Sequence, residues 1–351
     1  MYIMYTGPRD IHQTPALKRA RYATKRSEAA EVIIDWSDND DVYLENYIEH
    51  HFKCRKSIFT LINWQVFLWR NIWKYRPRVI FNMSMLSFLP IFFYSLFVRV
   101  KVIYDCRDYL AVSYKWPRVV KHLIQLVDNI TALFASKVVI PDEYGYEYFY
   151  LLKPKSLYVV HNTVEDYGLR KTTLPGPIRL AYFGYLSKDR NFDAIFDYVR
   201  SEPNNIELHI ACNVIPVRLK DIIPRAENII FHGALSHLEC HKLLSKMDYC
   251  LMMYDAQLAN YQKIQPTKFY DCLALGLPFI CSNGMTNLEK HIDGTSNLMI
   301  DYGETAWDGL KKTELSQYNL DLYSTFSYQS VLSGYREFFE SLVCKKDKTS
   351  P

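Results

Sequence analysis

The feature that most constrains this chain is the regular alternation of short apolar segments with helical ones. "YIMYT" leads through a loop and a basic helical stretch (15–27) to "EVIIDW". A helix near 57–73 precedes "RVIFNMS", an apolar helix follows, and "KVIYDC" comes next. A helix near 117–133 leads to "KVVIP", then to the aromatic "EYGYEYFYLL" and to "LYVVHN". Repeated strand–helix–strand units of this kind predict an α/β fold with a parallel sheet and helices on both faces. The pattern pauses at 163–177, "TVEDYGLRKTTLPGP", where polar residues, two prolines and Gly176 read as a connection.

The alternation then restarts. "IRLAYFGYL", a helix near 191–200, "IELHIAC", "NIIFHGAL", a helix near 236–246, "YCLMMYD", a short helix from Pro266 to Leu275, "PFICS" and "NLMID" complete a second doubly wound set. The predicted domains are 1–165 and 178–321, joined by a linker at 166–177. A chain of 351 residues accommodates two domains at roughly 100–200 residues each. The periodic tail "LYSTFSYQSVLSGYREFFESL" has no strand after it. It predicts a C-terminal helix within 322–345 that crosses back to the first domain.

The helix 266–275 has defined ends. Proline is tolerated in the first turn and Gly276 suits the left-handed residue just past the last. Helical spacing places Phe269, Cys272 and Leu273 on one stripe and Thr267, Lys268 and Asp271 on another, which predicts a packed face and a face presenting a cation and an anion. In open parallel sheets ligands bind beyond the carboxyl ends of the strands. That rule singles out Gly7 to His12, Asp105 to Asp108, Gly184 to Arg190 and Tyr254 to Tyr261, among other post-strand segments.

Composition removes several function classes. A net charge of +4 is too weak to argue for nucleic acid, and no zinc-finger or RNA-binding signature is present. The eight cysteines form no C-x-x-C pair and sit mostly in apolar runs, as reduced thiols of a cytoplasmic protein would. "MYIMYTGPRD" does not read as a signal peptide. The apolar window 84–102 is interrupted by Pro90 and predicts a buried helix followed by a strand, rather than a bilayer span. With Lys74, Arg76, Arg78, Arg99 and Lys101 nearby, the sharper alternative is a surface that rests on a membrane, on the inner face of the plasma membrane.

"IRLAYFGYLSKDRNF", "NIIFHGALSHLECHKLLSKMDYCLMMYD" and "PTKFYDCLALGLPFICSNG" together resemble the donor domain of GT-B glycosyltransferases, especially family four. The resemblance is specific over 178–284; "VIYDCRDYL" and "VVHNTV" extend it less specifically to the first half. It implies two Rossmann-like domains facing across a cleft, the first binding an acceptor and the second a nucleotide-diphosphate sugar. It also implies retention of configuration and transfer without a metal or other cofactor. UDP is the preferred nucleotide and GDP the next. The acceptor class implied is a glycan, plausibly lipid-linked, in surface polysaccharide biosynthesis.

By this resemblance Arg190 falls where the family carries a diphosphate-binding lysine, after a loop that begins with Gly184 and Tyr185. Lys268 would reach phosphate. Asp271 replaces a glutamate that accepts hydrogen bonds from ribose. A leaving diphosphate gains negative charge, which fixed cations stabilise. In the first domain Asp108 would face the acceptor hydroxyl as base or orienting group, with Arg107 beside it, and Gly7 and Arg9 would line the cleft loop. Asp105 and His161 read as structural. "DND" at 38–40 resembles the metal-holding carboxylates of the other glycosyltransferase fold, yet precedes any complete nucleotide domain and reads as a solvated turn.

The chain departs from the family at two positions. Lys263 stands where the paired-glutamate motif needs an acid, and Tyr185 where the glycine loop carries arginine. Two rivals follow: a nucleotide-sugar 2-epimerase, and a non-catalytic partner subunit that keeps the fold.

Overall fold

The computed structural model describes residues 2–7, 15–24, 29–53, 59–186, 190–212, 226–255, 257, 259–304, 307 and 309–343. The chain divides into two compact units, one running to His161 and resuming at Val331, the other spanning Asn162–Ser330.

The first unit holds β1 (Tyr2–Gly7), β2 (Ala30–Asp35), β3 (Val42–Leu44), β4 (Tyr47–His51), β5 (Val79–Asn82), β6 (Lys101–Asp105), β7 (Lys137–Ile140) and β8 (Leu157–Val159). They form one sheet in the order β3-β4-β2-β1-β5-β6-β7-β8. Its helices are α1 (Pro15–Thr24), α2 (Thr60–Tyr75), α3 (Phe88–Phe97), α4 (Arg118–Leu133) and α5 (Tyr144–Tyr148). Alternate strand residues serve opposite faces. Met4, Val32, Ile34 and Ile80 pack under Trp64, Leu68 and Ile72 of α2 and under Ile91 and Tyr94 of α3. Ile3, Tyr5, Ile33, Phe81 and Ile103 pack against α1 on the other face, through Ala16, Leu17 and Ala20. Among the described residues every strand pair is parallel except β3 with β4, a hairpin turned by Glu45 and Asn46 at the sheet edge. Sequence reading missed this hairpin, because an exposed three-residue β3 has no apolar run to mark it.

The second unit contains β9 (Ile178–Phe183), β10 (Ile206–Ala211), β11 (Ile229–Gly233), β12 (Tyr249–Met252), β13 (Phe279–Ser282) and β14 (Leu298–Ile300), all parallel, in the order β11-β10-β9-β12-β13-β14. Its helices are α6 (Phe192–Ser201), α7 (His237–Leu244), α8 (Ala259–Lys263), α9 (Thr267–Leu275), α10 (Thr286–Glu289) and α11 (Gln317–Phe326). Phe192, Ile195, Phe196 and Val199 of α6 cover one face of this sheet. Phe269, Tyr270 and Leu273 of α9 cover the other, with Tyr323 of α11.

Two expectations change in detail. The stretch 163–177 is irregular but is fastened to the second unit: Lys171 N donates to Leu275 O (2.8 Å) and Thr172 N to Ser245 O (2.7 Å). The Lys171 ammonium is buried, donating to Thr313 O at 2.5 Å, with Asp248 Oδ1 at 3.7 Å. The tail is two helices rather than one, α11 and α12 (Tyr328–Val343), separated at Ser327. Tyr335 and Phe339 of α12 join the core beneath β1 and β5 of the first unit, where Phe339 stacks on Phe81 at 5.5 Å.

Candidate functional site

The carboxyl end of β9 is the centre of the site. Gly184 follows that strand at φ +107°, a conformation that L side chains rarely adopt. A Cβ added there would lie 3.5 Å from Lys268 Cε, so the loop backbone runs directly over the lysine stem. Tyr185 is exposed, and its carbonyl accepts a hydrogen bond from the Tyr182 hydroxyl at 2.6 Å.

Lys268 sits in the first turn of α9, which begins after Pro266 and ends at Gly276 with φ +64°. Its side chain is 8% exposed, against the expected solvent-facing surface. The whole of α9 from Lys268 to Leu275 is buried: α11 packs along it, and the face that periodicity left polar is covered by aromatic rings around β9 on the Lys268 side and by α7 on the Asp271 side. Lys268 Nζ rests 3.5 Å from the centroid of the Tyr182 ring, with Phe183 at 5.7 Å and Tyr254 at 6.0 Å. Burial lowers its pKa to about 7, and the Arg190 charge acts in the same direction.

Arg190 precedes α6 and spreads its guanidinium over two tyrosines, 3.8 Å from the Tyr254 centroid and 4.9 Å from that of Tyr261. Those rings meet edge to face at 5.0 Å. Two cations are thus held close by aromatic faces, which attract positive charge without neutralising it. Two cations so placed attract an anion such as a phosphate.

Asp271 lies one turn beyond Lys268 but does not pair with it. Its Oδ1 accepts from His237 Nε2 and from His241 Nε2, each at 2.8 Å. Burial raises the carboxyl's pKa, while the bonds from His237 and then His241 outweigh that and hold it below the ordinary value. Oδ2 is buried and has no hydrogen-bond partner among the described residues. The expected cation-and-anion face therefore resolves into two directions: the cation toward β9, the anion toward α7.

In the first unit, register places Gly7, at the end of β1, level with Asp35, and Asn82 on β5 level with Thr6 on β1 and Tyr104 on β6. Asp105 is buried and accepts from Arg19 Nη2 at 3.3 Å, a structural role as expected. Asp108 is exposed just past this strand end, and Arg107 is half-buried. The Cys106 thiol donates to the Asp108 carbonyl at 3.7 Å, fixing the turn. His161 stands 3.6 Å from Glu143. The residues 38–40 are exposed, and Asp40 meets only Lys53 among the described residues. Arg9 lies outside the described residues.

Sequence reading did not single out Tyr182, His237 or His241. The histidines carried a signal, since "HLECH" places two imidazoles four apart on one helix face. Tyr182 carried none: a tyrosine within an apolar strand looks like any other core aromatic.

No family model and no curated protein sequence matches the chain. Solved structures do match it in fold. Sucrose-phosphate synthase from Thermosynechococcus elongatus superposes with a TM-score of 0.76 at 12% identity, over 99% of this chain and 100% of that one. Anabaena HepE in complex with UDP-glucose gives 0.63 at 13% identity, over 97% and 95%. A protein named a putative UDP-N-acetylglucosamine 2-epimerase, from Listeria monocytogenes, gives 0.55 at 13% identity, over 99% and 98%. In fold, then, the chain is α/β of the GT-B type, with two helix-covered, largely parallel sheets.

Proposed function

We propose that this chain is a glycosyltransferase that takes its sugar from a nucleotide diphosphate, UDP before GDP, and passes it to a glycan acceptor. One observation carries the reading: Lys268 and Arg190 converge beside the Gly184 loop at the carboxyl end of a parallel strand, held by tyrosine faces. A diphosphate carries the negative charge that this pair of cations attracts. As the glycosidic bond breaks, the departing phosphate oxygen gains charge next to Lys268 and Arg190, so both cations interact more strongly with the transition state than with the bound donor. Asp271 would serve the ribose through Oδ2, the oxygen that the imidazoles leave unpartnered. Asp108 in the first unit would orient or deprotonate the acceptor hydroxyl. Transfer of this kind needs no cofactor, and retention of configuration is the expected outcome.

The acceptor is proposed to be lipid-linked, as in surface polysaccharide assembly. The support is an apolar surface on the first unit. Leu89, Phe93, Leu96 and Phe97 project from α3 and Val119, Val120, Leu123 and Leu126 from α4. The two helices meet where Phe92 packs on Phe134 at 4.6 Å. Phe97 is 74% and Val119 73% exposed, and exposed basic residues stand at the end of α2 (Lys74), between α2 and β5 (Arg76 and Arg78) and after α3 (Arg99). Exposed apolar side chains together with basic ones suit the interface of an anionic bilayer. No helix among the described residues is long and apolar enough to cross a membrane.

Calorimetric titration with UDP, GDP, CMP and their common sugars tests the donor assignment. Binding of one nucleoside diphosphate, weakened at least about tenfold in Lys268→Ala, is the expected result. No binding of any would favour the non-catalytic partner, which Lys263 already makes conceivable. Conversion of a nucleotide sugar to its epimer without acceptor would favour the 2-epimerase, whose superposition is the weaker one.

A further inference from the structure

We infer that His237, His241 and Asp271 form a binding site for a divalent metal ion of the zinc class, bridging α7 and α9. This goes beyond the donor reading and does not depend on it. The two imidazole Nε2 atoms and an Asp271 carboxylate oxygen all lie within 4.8 Å of one another. Both nitrogens stand 2.8 Å from the same Oδ1. Ligands to tetrahedral zinc, with metal–ligand bonds of about 2.0–2.2 Å, are separated by roughly 3.3–3.5 Å. Each nitrogen-to-carboxylate separation therefore needs to open by only about half an ångström to admit the ion.

The surroundings fit a built site. His237 and His241 are four apart on α7, so they project from one face, as paired histidine ligands on a helix do. The start of α7 is fixed by a reciprocal cap between Ser236 and Glu239, which limits the freedom of His237. His241 and Asp271 each have 1% of their side chains exposed, whereas His237 has 41%, giving the ion a way in and leaving a place for water as a fourth ligand. The Tyr167 hydroxyl lies 3.2 Å from His237 Nδ1 and its ring meets His241 edge to face at 5.2 Å. A hydroxyl on the outer nitrogen accepts Nδ1–H and turns the Nε2 lone pair toward the metal, the usual outer-shell support of a histidine ligand.

The carboxylate itself calls for a cation. The Asp271 side chain is 1% exposed and both imidazoles face Oδ1, so a cation on that oxygen balances a buried negative charge while Oδ2 stays open to the ribose of a bound donor. When an ion binds, each imidazole carries its proton on Nδ1 rather than Nε2, and all three ligands direct lone pairs inward. Two imidazoles and one carboxylate select zinc, cobalt or nickel over magnesium and calcium, which take oxygen ligands. The ion would brace α9 one turn from Lys268.

The test uses the untagged full-length protein, freed of metal and titrated with zinc chloride in the absence of nucleotide, with cobalt(II) as a spectroscopic stand-in. One zinc per chain at micromolar affinity or tighter, a cobalt complex with the visible absorption of four or five ligands, and no response to magnesium are expected. His237→Ala, at the exposed ligand, should weaken binding at least about tenfold. His209→Ala, from the separate pair in which His209 Nδ1 lies 3.0 Å from His232 Nε2, should leave it unchanged. Absence of zinc binding at tens of micromolar, or equal binding by wild type and a folded His237→Ala, would overturn the site and leave a hydrogen-bonded cluster only. A parallel UDP titration keeps the outcomes separate, because either ligand can fail while the other binds.

Discussion

Lys268 Nζ lies 3.5 Å from the centroid of the Tyr182 ring, and among the described residues no carboxylate pairs with it. A buried ammonium held only by aromatic faces loses its proton readily; this one does so near pH 7. Bound diphosphate would raise that pKa again, so binding should take up a proton above neutrality. The affinity for UDP is expected to be greatest below pH 7 and to fall as pH rises through 7 toward 9, by up to about tenfold per unit. Calorimetry in buffers of different ionisation enthalpy measures the proton directly. A pH-independent affinity would remove Lys268 from the phosphate site.

The same lysine should affect folding in the opposite sense. Its folded pKa lies below the unfolded value, so the folded protein binds fewer protons between about pH 7 and 10 and gains stability as pH rises through that window. Lys268→Met, which fills similar space without charge, should therefore stabilise the ligand-free protein most at or below pH 7. The gain should shrink toward pH 10. Urea melts at several pH values measure it.

Gly276 closes α9 in the left-handed region, where a Cβ would meet Leu315 Cδ1 at 2.6 Å and Leu320 Cγ at 3.0 Å. Gly276→Ala combines left-handed strain with overpacking, each costing about 1–3 kcal/mol. Denaturant melts should register the sum. A variant as stable as wild type would mean that α9 and α11 adjust to each other more freely than their packing implies.

For the apolar surface, Leu96→Asp with Phe97→Asp should reduce sedimentation with vesicles containing anionic lipid and leave binding of UDP to the second unit unchanged. Both side chains are exposed, so the folded protein should tolerate the change. Retained vesicle binding would dissociate α3 from the membrane role.

Asp108→Asn keeps the shape of an exposed side chain and removes its charge. Donor affinity should persist while transfer falls by about a hundredfold or more, within the range that positioned acid–base groups contribute. A fully active variant would return Asp108 to an ordinary turn residue.

The alternation of apolar strands and helices was legible because both sheets are covered on two faces, so their strands read as uninterrupted apolar runs. The β3–β4 hairpin was not, since its exposed edge carries no such run. The ends of α9 were legible from Pro266 and Gly276. The surroundings of Lys268 and Asp271 were not, because periodicity assigns faces to a single helix and says nothing of the strand β9 and the helix α7 that cover the polar one. Asp271 meets histidines some thirty residues earlier in sequence, a contact made by the fold alone. Arg190 and Lys268 could be suggested by motif position, but the tyrosines that hold them come from β9 and from the region after β12.

The return of α12 to the first unit also sets an order of events during synthesis. The second unit is one continuous segment and can close once Ser330 has left the ribosome. The first unit, although begun earlier, lacks Tyr335 and Phe339 until α12 has emerged, and Phe81 is without its stacking partner Phe339 meanwhile. The unit begun first thus finishes after the other. An apolar face left partly covered for that interval is open to a wrong partner, the hazard that attends chains whose domains fold one after another.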